Sequence, residues 1–284
     1  MKAKKLYARL DRDFGVDNLR DDWSFMRFNN YITPSFKRRY MGVMLGNTGK
    51  IEKVYTAVFP DLDILDKLLA TKEREILLFT HHAMGYDPTI SGLPFYDIPE
   101  EYLQKLKKQR ISLYTLHNPL DKNGEFSTSV NLAKNLGLEL TGEFCEYDGM
   151  KVGILGKTEL KSILELVERV KSTVGHEVRL LANGDHEIHE GRVAVAAGGG
   201  NLGFVVKEIA DLGINTYITG CTREVPGFEP VDEFHRVISE NKINVIGATH
   251  YSTEKFACIA MTGYFRQIGI PSAFLEGRYH FEDL

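Results

Sequence analysis

The sequence predicts an α/β protein built as two lobes. Two observations carry that prediction. A strand followed by a helix recurs along two separate stretches of the chain, and apolar runs such as Ile76-Leu77-Leu78-Phe79 suit strands covered on both faces, as in parallel sheets. No Gly/Ser linker, short repeat or low-complexity tract interrupts the alternation. Of the 284 residues, 43% are hydrophobic and 26% charged, a globular balance that excludes disordered and fibrous classes.

In the first stretch, residues 51–60 read as a strand and 61–72 as an amphipathic helix with Asp61 as its N-cap. A strand at 75–82, a helix at 99–110, a strand at 111–118 and a helix at 127–138 follow, the last capped by Ser127 or Thr128 and closing near Gly137. Around Asp148-Gly149 the pattern becomes a hairpin, because Asp-Gly is a strong turn signal. A helix at 160–174 and a strand at 177–184 lead into the second alternation. That one runs through strands at 193–198, 216–220 and 243–249 and helices at about 202–212, 230–241 and 251–267. The expected organisation is an N-terminal arm or cap (1–40), a first lobe (41–138), a central connecting segment (139–191) and a second lobe (192–284).

Charge and cysteine usage narrow the function classes. Lys plus Arg at 35 against Asp plus Glu at 39 gives a net charge of −4, without the basic excess of a nucleic-acid binder. Cys145, Cys221 and Cys258 lie far apart and form no C-x-x-C pair, so neither a disulfide framework nor a cysteine zinc site is indicated. The start is charged, and no run approaches 18 apolar residues. The expectation is a soluble cytoplasmic protein with no membrane partner.

Three clusters sit where strands end, the edge at which parallel α/β sheets bind ligands. His81 and His82 close the 75–82 strand. Consecutive strand side chains point to opposite faces, so two adjacent histidines can share a pocket only where the chain leaves the sheet. His117, Asn118 and Asp121 follow the next strand, with Pro119 turning the chain. His250 and Glu254 lie at i and i+4, one face of a helix that starts after the 243–249 strand. Together, His81, His82, Asp121, His250 and Glu254 make a set of three imidazoles and two carboxylates suited to Zn, Mn or Fe(II). Five donors exceed the need of one tetrahedral ion, whereas two ions sharing a bridging carboxylate would use them all.

Other features are weaker. His186 and His189 in GDHEIHEG are bounded by glycines and read as an exposed turn. Gly198 to Gly203 fits G-x-G-x-x-G between a strand and a helix, but no acid stands at the end of the next strand to hold a ribose; an anion at the helix start is the more modest expectation. Cys221 has no base beside it in sequence and reads as a buried thiol.

The three clusters, in this order, resemble the Nif-three-like family, also labelled GTP cyclohydrolase 1 type 2 or dinuclear metal centre proteins. The carrying motifs are THHAMGYDP (80–88), HNPLDKNGEFSTSVNLAKNLGLE (117–139), VAVAAGGGN (193–201), INTYITG (214–220) and INVIGATHYSTEKFA (243–257). The resemblance implies two similar α/β lobes with a metal cleft between them, two divalent metal ions per subunit held by the five donors above, and a toroidal homohexamer built from dimers. It implies a role for His117 as proton donor or acceptor. The chain departs from the family in carrying Ala83 after the histidine pair and Cys221-Thr222-Arg223-Glu224 where many members have an acid and a histidine. The usual W-D-N-x-G-L stretch has only a loose echo in DDWSFM. The implied function is metal-dependent hydrolysis of a nucleotide, phosphoester or amide-type small molecule, GTP ring opening being one version. A non-catalytic metal-binding or metal-delivery protein that serves as an interaction platform is the alternative.

Overall fold

In the computed structural model, which describes residues 1–24, 31–90 and 92–284, the elements of both alternations form where the apolar periodicity puts them. The chain opens with α1 (Ala3–Asp13), whose Ala3, Leu6 and Leu10 recur at helical spacing and are buried. Helix α2 (Pro34–Arg39) starts on Pro34 and is capped by the Thr33 hydroxyl, which accepts from the Phe36 N–H. There follow β1 (Gly42–Leu45), β2 (Lys53–Ala57), α3 (Leu62–Ala70), β3 (Ile76–Thr80), a ribbon of β4 (Gly85–Tyr86) and β5 (Phe95–Tyr96), α4 (Glu100–Gln109), β6 (Ile111–Thr115) and the single turn α5 (Asn118–Asp121). Helix α6 (Thr128–Asn135) is capped by Ser127, and β7 (Glu139–Tyr147) with β8 (Met150–Lys157) forms the expected hairpin. Asp148 and Gly149 have φ of 49° and 73°, the two left-handed residues that a type I′ turn requires.

Helix α7 (Ile163–Val174) begins with a Ser162–Glu165 capping box. Next come β9 (Arg179–Leu181), β10 (Arg192–Ala196), α8 (Gly203–Asp211), β11 (Thr216–Thr219), α9 (Glu229–Glu240) and β12 (Asn244–Gly247). Helix α10 (His250–Gln267) and strand β13 (Ser272–Phe274) complete the order. No helix among the described residues is long and apolar enough to cross a membrane.

These elements form two compact units, Met1–Leu120 with Cys258–Arg278, and Asp121–Ala257 with Tyr279–Leu284. The first contains a five-stranded sheet in the order β1-β6-β3-β2-β13, parallel except for β1 at its edge. All five residues of β3 are buried. The second contains a six-stranded sheet, β7-β8-β10-β11-β12-β9, in which parallel β10, β11 and β12 are flanked by antiparallel β8 and β9. Along β10, Val193 and Val195 join one apolar cluster while Ala194 and Ala196 join another. This is the two-residue period of a strand buried on both faces.

The units cut the chain elsewhere than the sequence-based boundaries. Residues 139–191 are not a separate connector, because β8 pairs with β10 and β9 with β12 within the second sheet. Within the segment read as an N-terminal arm or cap, α1 and α2 pack into the first unit. Leu6, Leu10 and Phe36 are fully buried, each contributing roughly 1.5–3 kcal/mol, and the Tyr114 and Tyr264 hydroxyls donate to Asp11 and Asp13 at 2.8 Å. Residues 25–30 of that segment, including part of DDWSFM, lie outside the described residues. The closing strand β13 returns to the first sheet, beside β2.

Candidate metal centre

In the first unit, β3 and β6 run side by side and deliver their exits to one place. His81 and His82 leave β3 with their N–H groups on the carbonyls of Ala57 and Val58, and both side chains are buried. His117 leaves β6 two residues after its last paired residue. The rings of His81 and His82 lie 4.4 Å apart, and the His117 ring is 5.0 Å and 4.8 Å from them. One nitrogen from each of the three falls within 4.8 Å of the others, so the set can hold a metal ion. His81 Nδ1 donates to the Leu116 carbonyl at 3.1 Å, which makes Nε2 its lone-pair nitrogen.

Aromatic side chains wall this cluster. Phe59 stacks on His82 with centroids 4.4 Å apart, and Trp23 meets His117 edge-on at 5.3 Å. Behind them, Asp61 stands at the N-cap position of α3 but does not cap it. Its Oδ1 accepts from Tyr86 N–H at 2.8 Å and Tyr96 O–H at 3.3 Å instead. Burial pushes the Asp61 carboxyl up to about 7, against the opposing pull of the Tyr86 N–H. Asp21, unlike Asp61, is not singled out by any sequence pattern. It is buried, and His117 Nδ1 lies 3.1 Å from its Oδ1.

In the second unit, His250 and Glu254 are buried on the first turn of α10, with Nε2 and Oε1 3.1 Å apart. Burial alone would depress the His250 pKa, yet the adjoining Glu254 carboxylate and a hydrogen bond with Cys221 lift it well above its ordinary value. The expectation of Cys221 as a mere buried thiol therefore misses a contact with a donor. All three cysteines are buried, and no disulfide joins them. The preceding Thr249 has φ of 63°, an outlier for a β-branched residue. Its hydroxyl and carbonyl accept from the N–H groups of Ser252 and Thr253.

Two further features position this pair. Gly198, at φ of 74°, passes so close that a Cβ there would collide with Glu254 Oε1. Asp283, near the C-terminus, accepts the His250 N–H on Oδ2 at 2.9 Å, while its carbonyl takes the N–H groups of Thr222 and Arg223. It thus caps α10 and ties down the loop after β11, a role that only the acid in FEDL hints at. Asp121 ends α5, which Pro119 helps to start in place of the expected plain turn, and accepts the Thr128 hydroxyl at 3.2 Å.

The weaker motifs resolve simply. His186 and His189 are exposed, the latter 3.2 Å from Asp185. In the Gly198–Gly203 loop the carbonyls of Gly198 and Gly200 accept hydrogen bonds from within the unit. Gly203 lies against the Glu233 carboxylate, and an acid at that helix start competes with any incoming anion.

Comparison with known proteins places this arrangement. Residues 29–276 match the Duf34/NIF3 (NGG1p interacting factor 3) family. The chain is 28% identical over 256 residues to a protein of Deinococcus radiodurans named GTP cyclohydrolase 1 type 2 homolog, covering 89% of each. It is 30% identical over 230 residues to a protein of the same name from Pyrococcus horikoshii, covering 79% of this chain and 85% of that one. The crystal structure of TTHA1606 from Thermus thermophilus matches 99% of this chain and all of its own, with a TM-score of 0.68 at 22% identity, a likeness of fold. The chain belongs to the Duf34/NIF3 family.

Proposed function

We propose that this chain is a dinuclear-metal protein that hydrolyses a nucleotide, phosphoester or amide-type small molecule. The observation that carries the reading is the cluster of buried His81 and His82 with half-buried His117, whose donor nitrogens lie within 4.8 Å of one another. Three imidazoles brought together at strand ends are a costly arrangement for packing and a ready one for a borderline metal. In this reading His81, His82, Asp121, His250 and Glu254 hold two divalent ions of the Zn, Mn or Fe class. The name carried by the Deinococcus and Pyrococcus relatives makes GTP ring opening one version of the reaction.

A bound divalent ion supplies Lewis acidity and lowers the pKa of water towards about 7. The chain's own residues do the rest. The Leu116 carbonyl holds the His81 ring so that Nε2 is its donor atom. Phe59 stacked on His82 and Trp23 packed edge-on to His117 hold these rings in place. His117 takes a proton from the attacking water and returns it to the leaving group, a task suited to an imidazole near neutrality. Assembly as a homohexamer, implied by the sequence resemblance, belongs to the same proposal and is checked by light scattering.

The decisive experiment combines elemental analysis of the purified protein with a turnover screen of nucleotides, phosphoesters and amides in added Mn or Zn. The expected result is two ions per chain and hydrolysis in one class. Absence of any ion above trace defeats the metal reading. Stoichiometric metal without turnover in any class favours the metal-binding or delivery role.

A further inference from the structure

We propose that Asp21 is a positioning residue of the imidazole cluster: it takes the Nδ1–H of His117 and so makes Nε2 the nitrogen that His117 presents for chemistry. This deepens the function proposed above and rests on it. The geometry is local to the first unit. His117 Nδ1 and Asp21 Oδ1 lie 3.1 Å apart, and the Asp21 side chain is only 3% exposed. An ionised carboxylate has no proton to give, so the hydrogen between them is on the imidazole.

The surroundings hold both partners in place. The backbone beside Asp21 is fixed by the Asp21 N–H on the Arg39 carbonyl at 3.1 Å and by Asn118 Nδ2 on the Arg20 carbonyl at 3.1 Å. Trp23, two residues on, closes over the edge of the His117 ring. The second carboxylate oxygen, Oδ2, is buried with no hydrogen-bond partner among the described residues. A carboxylate kept for packing would satisfy both oxygens, since a buried unpaired acceptor is costly. One oxygen on an imidazole and one left over is instead the pattern of an orienting carboxylate, which sets the tautomer and strengthens the opposite nitrogen as a donor or base.

The test uses the full chain and its Asp21→Asn variant, in which an amide of the same shape can donate as well as accept and no longer selects a tautomer. Long-range 1H–15N NMR on histidine-labelled protein reads the His117 tautomer, and competition with a chromogenic chelator reads affinity for Zn2+. The expected result is an Nδ1–H tautomer in the parent, a mixed or reversed one in the variant, and Zn2+ affinity close to the parent's, since none of the five proposed donors is changed. Circular dichroism confirms that the variant is folded, and Asp21→Glu is expected to restore the Nδ1–H tautomer in part. An Asp21→Asn protein with the parent tautomer overturns the proposal. A parent protein that takes up no Zn2+ overturns the metal reading alone, while the tautomer comparison still decides the role of Asp21.

Discussion

The imidazole cluster of the first unit and the His250–Glu254 pair of the second are built by different means. The cluster is placed by side chains: two neighbouring strand exits bring the rings together, and Phe59, Trp23 and the Asp21 carboxylate set their orientation. The pair is placed by the main chain. An αL residue at Thr249, a glycine at 198 that leaves room for Glu254, and a cap from Asp283 determine where the first turn of α10 begins. In both, a carboxylate far off in sequence acts on a histidine, through the ring at His117 and through the backbone N–H at His250. The lesson is that strand-end donors are tuned by what packs on them, and helix-start donors by what permits the helix to start there.

The largest expected effect breaks the comparison if it is unequal. His82→Ala and Glu254→Ala should each abolish stoichiometric metal and any hydrolysis together, measured by elemental analysis and turnover. Loss from only one variant would mean that the two sets do not serve the same ions.

A second effect belongs to the side-chain-built region. The Asp61 carboxyl titrates near 7 in the folded chain and near 3.8 when unfolded, so protonation favours the folded state. Its contribution is fully present below about pH 4 and is lost as pH rises to about 7, a change of no more than roughly 4 kcal/mol for a shift of this size. The neighbours are Asp63, Asp87 and Tyr96. Asp61→Asn should remove this dependence, so that denaturant melts of parent and variant diverge between pH 4 and 7; parallel curves would contradict it.

Smaller effects sharpen the main-chain side. Gly198→Ala should cost about 1–3 kcal/mol by overpacking and strain, and it should weaken Zn2+ binding by displacing Glu254. A stable variant with parent affinity would show that Gly198 does not shape the pair. Asp283→Ala removes the cap and should lower stability by about 1 kcal/mol, seen as a lower Tm, with a modest drop in Zn2+ affinity. The least change is expected from Cys221→Ser. A hydroxyl keeps a polar contact with His250, and Zn2+ affinity should fall by less than about tenfold. A greater loss would raise the thiol from neighbour to participant.

Much of this was legible in the residues. The strands and helices of both alternations, the Asp148-Gly149 turn and the exposed GDHEIHEG loop follow from periodicity and turn chemistry, which act over a few neighbours. The strand-end positions of His81, His82 and His117 were readable, but their meeting in one imidazole cluster was not, because local sequence does not say which strands lie side by side. Less legible were α1 and α2, where apolar residues are thinned among charges, and β13, three residues long and paired with a strand more than 200 positions earlier. Asp61 looked like a helix cap because local sequence makes it one; a tertiary contact with Tyr86 claimed its carboxylate.

The chain by itself determined the donor types, their order and the elements that carry them, because hydrophobic period, caps and turn residues are local properties. Only the tertiary structure decided which acids attend which histidines. Asp21 lies 96 residues from His117 and Asp283 33 from His250, and no local rule pairs groups across such distances. Folding brings them together because core burial fixes the backbone first, and the buried polar groups then take the partners that the packed chain leaves within reach.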